Sequence, residues 1–272
     1  MKEAITRSVT GIIFVTLVIL SLVFHPFAYL FLFSIFIALA LFELSGMFPG
    51  LLSLRKKIIF SILLTGSFIL QYFIAAGNIS NTWILIPAGF ILLIIVFQVL
   101  QGNKGKGSGN SFIMTGMIYL LLGFSSMHFL AFSNGTEAAY TPRWILFTFC
   151  FLWINDTMAY VSGRLMGKHS IWPSVSPGKT WEGSIGGALF TIGLAIVFSR
   201  HFPELSAWEW VGFACIVIVF GSLGDFLESW VKRKANVKDS GRILPGHGGI
   251  LDRFDSLLLS LPFIAIYINF IL

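Results

Sequence analysis

From residue 11 to its last residues the chain repeats long apolar runs, separated by short polar or turn-forming breaks. A hydrocarbon core of about 30 Å takes roughly 20 apolar residues in a helix. Runs near 11–24, 27–48, 58–76, 83–100, 111–133, 143–163, 183–199, 208–228 and 251–271 therefore predict about nine transmembrane helices. The first two are short enough that a re-entrant pair around Pro26 is the alternative. The expected fold class is all-α, a polytopic integral membrane helical bundle.

Composition supports a lipid solvent. Hydrophobic residues make up 56% of the chain, charged residues 11%, and the mean hydropathy is +0.87, against about 25% charged in soluble domains. Cys150 and Cys215 lie inside apolar runs without metal-site or redox spacing and are read as core residues. Lys2 and Arg7 before the first run mimic a signal peptide, but no small-residue cleavage pattern follows, so an uncleaved first span is expected.

Charge orders the spans. With nine, one set of connections carries 16 of the 18 basic residues, and the other only Arg143 and Arg200. Positive loops stay inside, so the N-terminus is expected in the cytoplasm and the C-terminus outside, in the cell (inner or plasma) membrane. The Gly-rich stretch 101–110 reads as a linker. It divides N-terminal scaffold helices (1–110) from a C-terminal catalytic region (111–272) with two long cytoplasmic loops, 164–182 and 229–250.

Carboxylates inside membranes are expensive, and so suggest function. Asp156 falls late in the sixth predicted span, Asp225 and Glu228 end the eighth, and Asp252 and Asp255 open the ninth. All five approach the cytoplasmic face. The spacing i, i+3 puts the members of each pair on one helical face, where they could converge on a cation. Oxygen ligands suit Mg2+, which binds carboxylates together with substrate phosphates and water. The competing reading is ion pairing with the neighbouring Lys232, Arg233, Arg242 and Arg253. A site for a phosphorylated ligand needs both signs of charge, and this loop supplies both.

Leu244-Pro245-Gly246-His247-Gly248-Gly249 is a turn whose glycines let backbone approach an anion. His247 is read as a phosphate hydrogen-bond donor, with metal ligand, base and plain loop residue as alternatives. Ser176–Gly183 contains Gly-Lys-Thr, yet Pro173 stands where a P-loop needs glycine. Lys179 and Glu182 remain open between substrate contact and a solvated loop. Trp172, Trp181 and Trp230 fit an interfacial belt.

From Ser229 to Asp255 the order S-x-x-K-R-x4-K-D-x-G-x2-L-P-x-H-G-G-x2-D-R-x-D closely resembles the signature of the phosphatidate cytidylyltransferases. Its fixed positions are Ser229, Lys232, Arg233, Lys238, Asp239, Gly241, Leu244, Pro245, His247, Gly248, Gly249, Asp252, Arg253 and Asp255. Asn155-Asp156 and the stretch 176–183 are also similar, so the resemblance covers about 150–272. It implies an enzyme that transfers CMP from CTP to phosphatidate, giving CDP-diacylglycerol and pyrophosphate, with Mg2+ as cofactor and room for a second cation. Carried over by position, Asp225, Asp252 and Asp255 would be the metal carboxylates, with Asp156, Glu228 and Asp239 secondary. Lys179, Lys232, Arg233, Lys238, Arg253, His247, Gly248, Gly249 and Ser229 would serve phosphates, with Lys232 also catalytic. The partners implied are CTP and bilayer phosphatidate, with no nucleic acid, and a homodimer as one candidate assembly. The rival readings are a cation-coupled carrier through Asp156, Asp225 and Glu228 and a non-catalytic lipid-binding scaffold. Carrier sites lie near the bilayer midplane, whereas these carboxylates gather at one interface.

Overall fold

The computed structural model describes residues 2–80, 83, 86–89, 91–92, 107–132 and 140–272. In chain order the elements are α1 (Lys2–Phe24), α2 (Pro26–Met47), α3 (Leu54–Ala75), α4 (Gly107–Ala131), α5 (Arg143–Met166), β1 (Ser170–Trp172), β2 (Ser176–Thr180), α6 (Trp181–His201), α7 (Ala207–Lys234) and α8 (Leu251–Ile271). Among the described residues seven helices, α2 to α8, are long and apolar enough to cross a membrane, and Ser8–Phe24 of α1 is a shorter apolar helix. Much of the expected span 83–100 and of the linker 101–110 lies outside the described residues.

Local chemistry explains the breaks. Pro26 occupies the first turn of α2, where no amide donor is required, and His25 Nδ1 accepts from Phe27 N at 3.2 Å. So α1 and α2 are separate helices. Helix α7 opens on a capping box: Ser206 N donates to Glu209 Oε2 (2.7 Å) and Glu209 N to Ser206 Oγ (3.4 Å).

Two expected loops are corrected. The stretch 164–182 is not plain loop: α5 runs to Met166, and β1 and β2 form an antiparallel hairpin pairing Ser170 with Thr180 and Trp172 with Ser176. The stretch 229–250 begins as helix, because α7 continues to Lys234. A Glu228–Lys232 pair at i, i+4 and the cations Lys232, Arg233 and Lys234 in the last turn favour that extension against the helix dipole. At 28 residues α7 spans about 42 Å, longer than a hydrocarbon core of about 30 Å.

Helix α8 packs mainly on α4 and α7 and also touches α2 and α5. Its anchor is Phe254, fully buried, with the rings of Phe36 (5.3 Å), Phe124 (5.5 Å), Phe14 (5.8 Å), Phe33 (5.8 Å) and Phe149 (6.4 Å) around it. Those rings come from α1, α2, α4 and α5. Because Phe254 stands between Arg253 and Asp255, this cluster sets the position of both charged side chains. Helices α5 and α6 meet through glycine. A Cβ on Gly187 would lie 2.7 Å from the Asn155 carbonyl, and one on Gly186 would collide with Ser162 Oγ, so the backbones approach as small-xxx-small helices do.

Candidate active site

A cavity of about 390 Å³ opens between the cytoplasm-predicted ends of α5, α7 and α8 and the hairpin, and Asp156, Lys179, Asp225, Asp252, Arg253 and Asp255 all border it. Lys179 on β2 reaches across to α7, its Nζ 2.5 Å from Asp225 Oδ2 and 4.4 Å from the Phe226 ring centroid. The hairpin is held in place from both ends. Arg233 Nε donates to Val175 O at its tip (3.3 Å), and at its base Glu182 accepts from Lys168 N (3.1 Å) and His169 N (3.2 Å).

Sequence-predicted residues divide into three groups. Asp156, Asp225 and Asp255 face the cavity, and Asp225 acts electrostatically on both of the others. Lys238, Asp239, His247, Gly248 and Arg253, with Arg242, border a neighbouring cavity of about 580 Å³. Arg253 faces both, and also a smaller cavity that reaches Gly11 and Phe14 of α1. The third group has internal duties. Lys232 Nζ bridges Asp252 Oδ1 (2.7 Å) and Glu228 Oε2 (3.1 Å), Ser229 Oγ donates to Asp225 Oδ1 (3.2 Å), and Arg233 braces the hairpin.

The glycine turn serves an internal anion. Gly248 adopts φ +84°, and a Cβ there would lie 2.6 Å from Asp252 Oδ2. That oxygen accepts from Gly249 N (2.8 Å), Ser240 N (2.9 Å) and Ser240 Oγ (2.9 Å). A second carboxylate, which the signature does not contain, reaches the loop from α2. Glu43 accepts from Ile250 N (2.9 Å) and Leu251 N (2.9 Å) and from Ser240 Oγ (3.3 Å). The signal for Glu43 was in the sequence, because it is the one acidic residue of the second apolar run and intramembrane carboxylates are rarely idle.

Among the described residues no three His, Cys, Asp or Glu side chains converge as a closed ion cage. The cavity instead offers separated carboxylates, with the Lys179 ammonium resting on one of them. An open set of this kind fits Mg2+, which keeps water and takes one or two carboxylates plus phosphate oxygens. Asp225 and Asp255 fit that role. Asp252 fits it less well, since its oxygens take four donor contacts, from Lys232, Gly249 N and the amide and hydroxyl of Ser240, whereas Asp225 takes two, from Ser229 and Lys179.

An apolar cavity of about 370 Å³ lies behind the site, bordered by Leu44, Met47, Phe112, Leu227 and Val231, with Glu228 and Tyr119 at its polar edge. Tyr119 Oη donates to Asp255 O at 2.9 Å. One layer of side chains thus separates apolar space from the charged cavity.

Residues 5–271 match the Cytidylyltransferase family. This chain belongs to that family. Among curated relatives of this cytidylyltransferase-family chain, the phosphatidate cytidylyltransferase of Staphylococcus haemolyticus is 45% identical over 185 residues. The enzymes of that name from Staphylococcus epidermidis and Staphylococcus aureus are 43% and 42% identical over 183 and 184 residues. Each alignment covers 67% of both chains.

Proposed function

We propose that this member of the cytidylyltransferase family is a phosphatidate cytidylyltransferase, which transfers CMP from CTP to phosphatidate and releases pyrophosphate. Beyond family membership, the observation that carries the reading is a carboxylate cavity at the membrane surface directly beside a cationic one, with Arg253 common to both. Such a pairing answers the needs of two phosphorylated substrates.

In the reaction a phosphate oxygen of phosphatidate bonds to the α-phosphorus of CTP while the bond from that phosphorus to the bridging oxygen breaks, so pyrophosphate leaves. A phosphate monoester has its second pKa at about 6, so the nucleophile is already ionised and needs no general base. Charge neutralisation is the larger task. Lys179 and Arg253 face the cavity, and Lys238 and Arg242 line the adjoining one, where they would offset repulsion between the two anions. Mg2+, held by Asp225 and Asp255 with Asp156 nearby, would neutralise the triphosphate and the leaving pyrophosphate. Asp252 orients Lys232 and the glycine turn. The apolar cavity behind Asp255 supports a lipid that approaches from the bilayer with an acyl chain beside the site.

The proposed topology is nine spans, with the N-terminus cytoplasmic, the C-terminus external and the site facing the cytoplasm of the plasma membrane. The distribution of 16 of 18 basic residues supports it. So does the packing: a Cβ on Gly109 would meet Leu51, so α4 begins at the same end of the bundle as α3. A nine-span order requires that shared end.

The test is pyrophosphate release by purified protein in detergent, with phosphatidate and CTP, ATP as comparison nucleotide, and Mg2+ present or chelated. Release that needs CTP, phosphatidate and Mg2+ together is expected. Folded, lipid-supplied protein that releases none would overturn the reading.

A further inference from the structure

Glu43 stands outside the signature, almost at the end of the second helix, yet its carboxylate is the hub of the signature loop. Its residue is 6% exposed. One oxygen, Oε1, accepts from Ile250 N, and the other, Oε2, accepts from Leu251 N and Ser240 Oγ. Those two amides belong to the opening of α8, where free N–H groups favour a negative partner. Ser240 Oγ is shared with Asp252 Oδ2, so the loop lies between two carboxylates, one from α2 and one from α8 itself.

The glycines tell the same story. A Cβ on Gly241 would collide with Glu43 Oε1, and one on Gly249 would collide with Glu43 Oε2 and Ser240 Oγ. A side chain at either position therefore has to displace Glu43 or the loop, and at Gly249 Ser240 as well. Neither has a positive φ among the described residues, so the obstacle is not conformational.

We infer that Glu43 is a positioning residue for the cytidylyl transfer: it clamps residues 240–251 so that Asp252, Arg253 and Asp255 enter the site in a fixed register. The inference rests on the proposed function for its kinetic arm and on geometry alone for its structural arm. Glutamine is isosteric but carries one oxygen and one NH2. In Glu43→Gln a donor faces either the Ile250 amide or the Leu251 amide and Ser240, so the clamp is lost while the volume is kept.

The experiment compares purified wild-type and Glu43→Gln protein by hydrogen exchange of the segment 240–251 and by steady-state kinetics with Mg–CTP and phosphatidate. Exchange in that segment should speed up, and the half-saturating Mg–CTP concentration should rise, each by about tenfold, the scale of a lost charge-assisted hydrogen bond. Half-saturation by phosphatidate should change less than that of Mg–CTP, because of the clamped segment only Leu251 borders the apolar cavity that would take its chains. If Glu43→Gln does not purify as folded protein, Gly241→Ala, which displaces the loop from an intact Glu43, is read in the same way. Faster exchange with unchanged Mg–CTP dependence would make Glu43 a structural brace only and overturn the inference, as would unchanged exchange. A wild-type protein without CTP-dependent turnover would instead remove the proposed function, and exchange alone would then decide whether Glu43 holds the loop.

Discussion

Lys232 Nζ lies 2.7 Å from Asp252 Oδ1, and the same ammonium lies 3.1 Å from Glu228 Oε2. One cation therefore joins the end of α7 to the start of α8. The three side chains are 12%, 7% and 3% exposed, so water screens the arrangement little. Removing one partner of a buried ion pair costs roughly 3–5 kcal/mol, because the remaining charge is left uncompensated. Lys232→Met strands two carboxylates. It should lower the unfolding midpoint in detergent as well as abolish turnover; loss of turnover with an unchanged midpoint would return Lys232 to a purely substrate-binding role.

Asp252 and Asp255 share a helical face but not a task. Both border the cavity, but Asp252 Oδ2 takes three donors and Oδ1 takes Lys232, while Asp255 Oδ1 accepts from the Ser256 amide at 2.6 Å. Asn at 252 points an NH2 at donors, and each lost charge-assisted bond is worth about 1.5–3 kcal/mol. Asp252→Asn should thus be inactive and less stable. Asp255→Asn should be inactive at wild-type stability, and Mg2+ should no longer shift its melting curve. Equal destabilisation of the two variants would contradict this division.

Lys179 pairs with Asp225 at side-chain exposures of 28% and 30%. Pairs this open contribute about 0–1 kcal/mol to stability, so Lys179→Ala should leave folding almost untouched. Its cost should appear in kcat/KM for CTP, by roughly 10²-fold, the effect of deleting one preorganised donor near developing charge. The measurement is a paired melting curve and CTP titration.

Gly187 faces the Asn155 carbonyl across the α5–α6 contact. A methyl group there has to push the helices apart, at a cost of about 1–3 kcal/mol, and Asp156 moves with α5. Gly187→Ala should lower both stability and turnover. Gly193→Ala on the same helix, with nothing within 4 Å of its added Cβ, should do neither. Thermal denaturation of the two variants side by side checks the contrast.

Much of this was legible in one dimension. Apolar runs located most of the described helices to within a few residues, the span 251–271 at both ends, because lipid demands both length and apolarity from any crossing segment, while the polar extensions at the start of α1 and the end of α7 lay outside their runs. The hairpin at 170–180 escaped, being short, half-exposed and without strict alternation. The site was legible as a density of charges and glycines, but not as a set of partners. Glu43 and Ile250 are 207 positions apart, and no spacing rule connects them.

By itself the sequence determined that the chain is a helical membrane protein, that acidic and basic side chains gather at one end of it, and which family signature those residues spell. These are properties of composition and local order. Tertiary structure alone decided which charges face the cavity and which hold the frame. That outcome depends on how helices distant in sequence approach, and an ion pair or hydrogen bond forms only when packing brings two groups within about 3 Å. Lys232 and Asp252 met because Phe254 is locked among five rings. Beside Gly241 and Gly249, Glu43 from the other half of the chain already fills the space a side chain would need.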